Sequence, residues 1–192
     1  IVSQFNLPAN SYTNLVSAFC EDINQNIWMG TQNGGVFVYY PSQKKFKYFI
    51  ANNTHGVGLI NNNIRCIFSD KQNNLWLGTQ EGISILNPTT YTFKNIEHHA
   101  DNTSSLSQNS VYSIFQDNNG SIWVGTYFGG VNQSAAYTTT FFTLRSTGYK
   151  NSISNNVVSS IVEDSKETLW IGTEGGGLNV LEKGSNNYIS YK

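Results

Sequence analysis

Several side chains in this 192-residue chain are of types that bind or transform ligands. His98 and His99 are adjacent, and His55 is the third histidine. Two neighbouring imidazoles supply too few ligands for a structural metal site, which needs four. Neither Cys-x-x-Cys nor His-Glu-x-x-His accompanies them, so no metal and no cofactor is expected. Gly-x-Ser-x-Gly and the P-loop are also missing, which argues against acyl and phosphoryl transfer. Cys20 and Cys66 are too few for a disulfide framework and read as buried free thiols. Asp22, Asp70, Asp117 and Asp164 would do acid–base or metal chemistry only if they converged. They recur instead at equivalent, distant places, which points to turn stabilisation. The remaining set suits binding: Arg65, Tyr112, Tyr127 and Phe128, with Asn33, Glu81 and Glu174. Aromatic faces stack on sugar rings, while guanidinium and amide groups hydrogen-bond to hydroxyls or anions.

These residues sit on a repeat. The four tryptophans, Trp28, Trp76, Trp123 and Trp170, are 48, 47 and 47 residues apart. Each opens a Trp-x-Gly-Thr motif, and each has an Asp six residues before it. An apolar strand precedes each Asp: Val16 to Cys20, Ile64 to Phe68, Val111 to Phe115, Val158 to Val162. A glycine turn follows each Thr, an apolar strand resumes at Val36, Ile83, Val131 and Leu178, and a last strand carries Phe46, Phe93, Phe141 or Tyr188. No stretch has helical spacing with caps. Four short strands per repeat of 40–50 residues is the pattern of a β-propeller blade. The expected fold is therefore all-β, with four blades of four antiparallel strands, a to d, at about 14–50, 62–97, 109–145 and 156–192, each packed on both faces by its neighbours. Residues 1–7 read as strand d of a preceding blade, in a segment of a longer polypeptide.

Each repeated Trp is expected in the core. Burying one removes about 150–250 Å² from water, worth at most roughly 4–6 kcal/mol. The Gly two residues on leaves room for the indole or for the next blade. Cys20 and Cys66 share strand parity and so face the same side of neighbouring blades, which disfavours a disulfide between them. Strand direction puts the d–a and b–c connections at one end of the blade. The d–a connections, 51–63, 98–110 and 145–157, are the long ones, and binding residues gather on such loops. Arg65 and Tyr112 open strand a beside these connections, and Asn33, Glu81, Tyr127, Phe128 and Glu174 lie in the b–c turns at the same end.

The net charge of −1, with 12% charged residues, gives no basic surface for nucleic acid or anionic membrane. No apolar run approaches the roughly 20 residues of a membrane span.

The unit Asp-x-x-(Gly/Asn)-x-(Ile/Leu)-Trp-x-Gly-Thr-x-x-Gly-Gly-(Leu/Val), with the lead-ins Leu106-Ser107-Gln108-Asn109-Ser110-Val111 and Ile153-Ser154-Asn155-Asn156-Val157-Val158, resembles the two-component regulator propeller repeat. The resemblance spans nearly the whole chain. It implies part of a seven-bladed propeller in the periplasmic sensor of a Bacteroidetes hybrid histidine kinase, non-catalytic itself, with the kinase elsewhere in the parent protein. It also implies an oligosaccharide ligand, or relay of its signal. Separately, an open arc of four blades exposes two blade faces, for which neighbouring blades or a second copy of the chain are the expected partners. Departures are a shortened Gln80-Glu81-Gly82 turn, Asp164-Ser165-Lys166-Glu167 without its glycine, and a degenerate first lead-in over residues 11–15. The alternatives are a propeller lyase or hydrolase acting on a polysaccharide, and a ligand-free interaction scaffold.

Overall fold

A computed structural model describes residues 15–51, 57–136, 138–149, 151–185 and 187–192. The expected strand over 1–7, most of the first lead-in, and His55 lie outside the described residues. Those described form sixteen strands and no helix. The strands are β1 (Val16–Glu21), β2 (Ile27–Thr31), β3 (Val36–Tyr40) and β4 (Lys45–Phe49), then β5 (Ile64–Ser69), β6 (Leu75–Thr79), β7 (Gly82–Leu86) and β8 (Phe93–Ile96). β9 (Val111–Gln116), β10 (Ile122–Thr126), β11 (Gly130–Ser134) and β12 (Phe141–Leu144) follow, then β13 (Val158–Glu163), β14 (Leu169–Thr173), β15 (Gly177–Leu181) and β16 (Tyr188–Tyr191). Each set of four makes one sheet in sequential order, as a propeller blade requires. The chain divides into two compact units, Ile1–Gln80 with Ser84–Asn95, and Glu81–Ile83 with Ile96–Lys192.

The repeated Asp closes each a–b hairpin and also holds the Trp. Asp22 Oδ1 accepts from the Asn24 and Asn26 N–H groups at 2.9 and 3.0 Å, and its Oδ2 accepts from Trp28 Nε1 at 2.9 Å. The indole bond recurs at 2.9 Å from Trp76 to Asp70, 2.9 Å from Trp123 to Asp117 and 3.0 Å from Trp170 to Asp164. The carboxylate thus satisfies an indole N–H that core burial would strand. Burial pushes the Asp22 carboxyl up, and the bonds from Trp28, Asn26 and Asn24 outweigh it, leaving it below the usual range. At Asp164, the backbone bond from Thr168 and the indole of Trp170 likewise hold the carboxyl down. The fourth hairpin manages without glycine because Glu167 takes a φ of 62°, as Gln25 and Asn73 do.

In the first unit the core gathers Trp28, Val36, Val38, Leu59, Ile64, Leu75, Leu77 and Leu86. In the second it gathers Trp123, Val131, Ile153, Val158, Ile161, Leu169 and Ile171. The Trp-x-Gly glycine makes room for the next blade. A Cβ on Gly30 would sit 2.8 Å from the Ile64 Cβ, and one on Gly125 would sit 2.7 Å from Val158 Cγ1. Strand a is less buried than its apolar sequence suggests: β6 and β10 are buried throughout, whereas β5 is mostly half-buried. It is an edge strand of its sheet, with a neighbour on one side only. Cys20 and Cys66 are both free thiols, half-buried rather than buried as expected, because strand a has a neighbour on one side only.

Candidate ligand-binding site

Two local devices shape the end of the blades where the d–a and b–c connections meet. The first is a bulge in strand a. The register jumps from Val16 to Ala18, from Ile64 to Cys66, from Val111 to Ser113 and from Val158 to Ser160. The skipped residues are Ser17, Arg65, Tyr112 and Ser159. A bulge re-aims the side chain it carries, and bulges gather beside functional sites.

The second device is a latch on the b–c turn. In the third blade, Thr126 Oγ1 donates to the Gly130 carbonyl at 3.0 Å. Asn132, fully buried in β11, accepts at Oδ1 from the Ser107 N–H at 2.8 Å and donates from Nδ2 to Ser107 Oγ at 2.9 Å. The fourth blade repeats this with Thr173, Asn179 and Ser154. A Cβ on Gly129 would collide with Thr126 Oγ1 and Ser107 Oγ, so the turn needs glycine there. The lead-in Asn closes the long connection. Asn109 Oδ1 accepts from the His98 N–H at 2.6 Å, and Asn156 Oδ1 from the Ser146 N–H at 2.7 Å. Loops latched at both ends present their tips on a fixed frame.

Three of the seven candidate residues come together on this frame. Tyr112, half-buried on its bulge, stacks on Tyr127 with ring centroids 5.5 Å apart and planes 21° apart. Tyr127 in turn meets Phe128 at 4.1 Å and 50°. The Tyr127 N–H donates to the Ser110 carbonyl at 2.9 Å, pinning the turn to its own d–a connection. Phe128 is 64% exposed and has a φ of 67°. That left-handed conformation is taken by Asn33 in the first blade and Gly175 in the fourth, residues that tolerate it. A bulky aromatic there is strained, and strain of this kind concentrates at functional sites.

The other four candidates lie on the turns and strand starts of the other three blades. Asn33 is exposed in the first blade's turn, and Arg65 is half-buried on the β5 bulge; both belong to the first compact unit. Glu81 is exposed in the two-residue β6–β7 turn. Glu174 is exposed in the fourth blade's turn, its N–H donating to the Val157 carbonyl at 3.0 Å. His98 is engaged in the loop, with Nδ1 2.6 Å from the Leu106 carbonyl oxygen. Sequence reasoning passed over Asn132 and Asn179, whose signal was an amide in an otherwise buried strand. It also passed over Arg145, which follows β12 and reaches the Gly129 carbonyl from Nε at 3.3 Å.

A groove of about 290 Å³ lies at the opposite strand ends of the second unit, lined by Asp117, Glu163, Glu167, Lys183 and their neighbours. Three of its four carboxylates are engaged: Asp117 by Trp123, Glu163 by the Asn118 N–H at 2.9 Å, and Glu167 by Lys183 at 2.6 Å. Among the described residues, no group of three His, Cys, Asp or Glu is placed to hold a metal, and no helix is long and apolar enough to cross a membrane.

Comparison with known proteins agrees with this architecture. The chain is similar over 98% of its length to the extracellular domain assigned to a hybrid two component system of B. thetaiotaomicron, with 20% identity and a TM-score of 0.83. A second such domain from B. thetaiotaomicron matches over 92% of the chain, at 20% identity and a TM-score of 0.76. The chain spans only about a quarter of these two domains, 26% and 25%. A catalytically inactive virginiamycin B lyase from Staphylococcus aureus, with quinupristin, matches over all of this chain and 59% of its own, at 16% identity and a TM-score of 0.71. At these identities the likeness is one of fold. A search of curated protein sequences finds no match. The two component regulator propeller repeat matches residues 7–33, 58–81, 105–128 and 152–175, more than half of the chain. The chain therefore belongs to the two component regulator propeller family.

Proposed function

We propose that this chain is the ligand-sensing part of an extracytoplasmic, periplasmic sensor in a hybrid two-component histidine kinase, and that it binds an oligosaccharide on the Tyr112–Tyr127–Phe128 platform. One observation carries the reading: Phe128 holds a costly left-handed backbone while leaving most of its ring in water. The first and fourth repeats place Asn33 and Gly175 there, residues that take this backbone at less cost. An exposed ring backed by a second ring presents a flat apolar surface of the kind that stacks on the C–H face of a pyranose. The family and the fold of the Bacteroides domains support the sensing role. Binding fits better than catalysis, because the platform is aromatic and the His98 ring is engaged with its own loop. Glu81 and Glu174, of the same compact unit as the platform, are proposed to contribute polar contacts, while Asn33 and the Arg65 bulge are proposed to contact ligand on their own blades.

Further blades of a longer polypeptide, or a second copy, are the proposed partners. Val16 and Phe19 are 45% and 77% exposed, while their equivalents Val111 and Ile114 are buried.

The test is calorimetric titration of the native polypeptide with plant and host oligosaccharides, beside its Phe128→Asn variant. Binding that weakens about tenfold or more in the variant supports the platform; each stacked ring is worth about 1 kcal/mol or more. Saturable binding that ignores Phe128 would move the site elsewhere, and no binding by any sugar would favour an interaction scaffold.

A further inference from the structure

The glycan reading leaves open which sugars the platform selects, and Arg145 bears on that. Arg145 follows β12 and lies against the latched turn that carries Phe128. Its Nε–H donates to the Gly129 carbonyl at 3.3 Å, and its Nη2 reaches the Ser107 carbonyl at 3.5 Å. A Cβ on Gly130 would stand 3.2 Å from Arg145 Cγ, so the stem runs along the turn. Both acceptors belong to the latch: Gly129 adjoins Phe128, and Ser107 is the residue gripped by Asn132. The guanidinium is thus tethered by two carbonyls of the latch, one of them next to Phe128 in the chain.

Of its five N–H donors, two are used in this way among the described residues. The side chain is exposed, and no carboxylate among the described residues pairs with it. A fold that wanted only a tether for this turn would not need a permanent charge. A guanidinium held by its inner edge presents its outer edge as a planar fork, the geometry that meets a carboxylate or sulfate in two parallel hydrogen bonds.

We propose that Arg145 reads an anionic group on the ligand, so that the site selects acidic oligosaccharides: one sugar stacks on Phe128 and Tyr127, and a carboxylate or sulfate ester meets Arg145. The inference rests on the glycan reading above.

The test is calorimetric titration of the native polypeptide and its Arg145→Gln variant, each first shown to melt within a few degrees of the other. The probes are tetrasaccharides of galacturonate, alginate, chondroitin sulfate and heparin type, each beside its carboxyl-reduced and, where relevant, desulfated counterpart. The expected result is one acidic probe bound about 10–100-fold more tightly than its neutral counterpart, with the advantage shrinking in salt and disappearing in Arg145→Gln. Loss on carboxyl reduction identifies a uronate; loss on desulfation identifies a sulfate ester. Arg145→Lys should recover only part of the preference, because it keeps the charge without the fork. Equal binding of acidic and neutral probes, or a preference that survives Arg145→Gln, overturns this inference and leaves the glycan reading standing. If neither acidic nor neutral sugars bind, both fall.

Discussion

Replacing Phe128 with Asn should leave the fold almost as stable as before, an unusual outcome for loss of a large aromatic. The left-handed backbone at φ 67° costs an ordinary L-residue about 1–2 kcal/mol, and Asn carries much less of that cost. Against this relief stands the contact with Tyr127 at 4.1 Å, worth about 0.5–1.5 kcal/mol. The ring is 64% exposed. Complete burial of a Phe is worth about 1.5–3 kcal/mol, so its covered third contributes about 0.5–1 kcal/mol. Gain and loss nearly cancel, and the net change should lie within about 1 kcal/mol of zero. For a chain of this size that is a shift in Tm of no more than about 2–4 °C. Urea titration with matched m-values and a thermal melt would measure it. A loss of 3 kcal/mol or more, the range for truncating a core aromatic, would show that Phe128 is a packing residue and refute the reasoning.

Further outcomes follow from the same geometry. Asp117→Ala leaves the Trp123 indole and the Ser121 N–H without their acceptor in a buried site, and should destabilise by about 2–4 kcal/mol in chemical denaturation. Asp22 and Asp164 have carboxyls held below their unfolded values. Their contribution is therefore complete above the unfolded carboxylate pKa of about 4 and lost as pH falls through the lower folded values. Melting temperature should accordingly drop below about pH 4, and less steeply in Asp22→Asn. Ser113 Oγ is buried without a hydrogen-bond partner among the described residues, and Ala18 occupies the same register position in the first blade. Ser113→Ala should be neutral or stabilising by about 1 kcal/mol, and clear destabilisation would contradict that placement. Burial pushes the Cys66 thiol up to about 12, so Cys66 should resist iodoacetamide near neutral pH in the folded protein and react on unfolding.

The architecture was legible because the repeat writes each constraint four times. Trp-x-Gly-Thr, the Asp six residues earlier and the glycine turn together fixed the strand order and placed strand a to within one residue at its end. The reason for the Asp–Trp spacing was not legible. Nothing in the pattern says that the same carboxylate which caps a hairpin also accepts the indole N–H. Arg65 and Tyr112 were legible as equivalent positions, but the bulge that re-aims them is a register event with no composition signal of its own. Phe128 carried a usable signal: alignment of the repeats sets it against Asn33 and Gly175, which marks a positive φ. Arg145 had none, since its role depends on carbonyls contributed by residues 107 and 129.

The central claim, that this family member senses a sugar on its aromatic platform, is tested most directly by thermal shift. The native polypeptide would be melted with plant and host oligosaccharides, acidic and neutral, each at high concentration. A sugar at 100 times its Kd should stabilise the fold by about 2.7 kcal/mol, and the shift should vanish when Phe128 and Tyr127 are replaced together by Asn and Ala. No shift with any sugar, or one that survives the double replacement, would contradict the account.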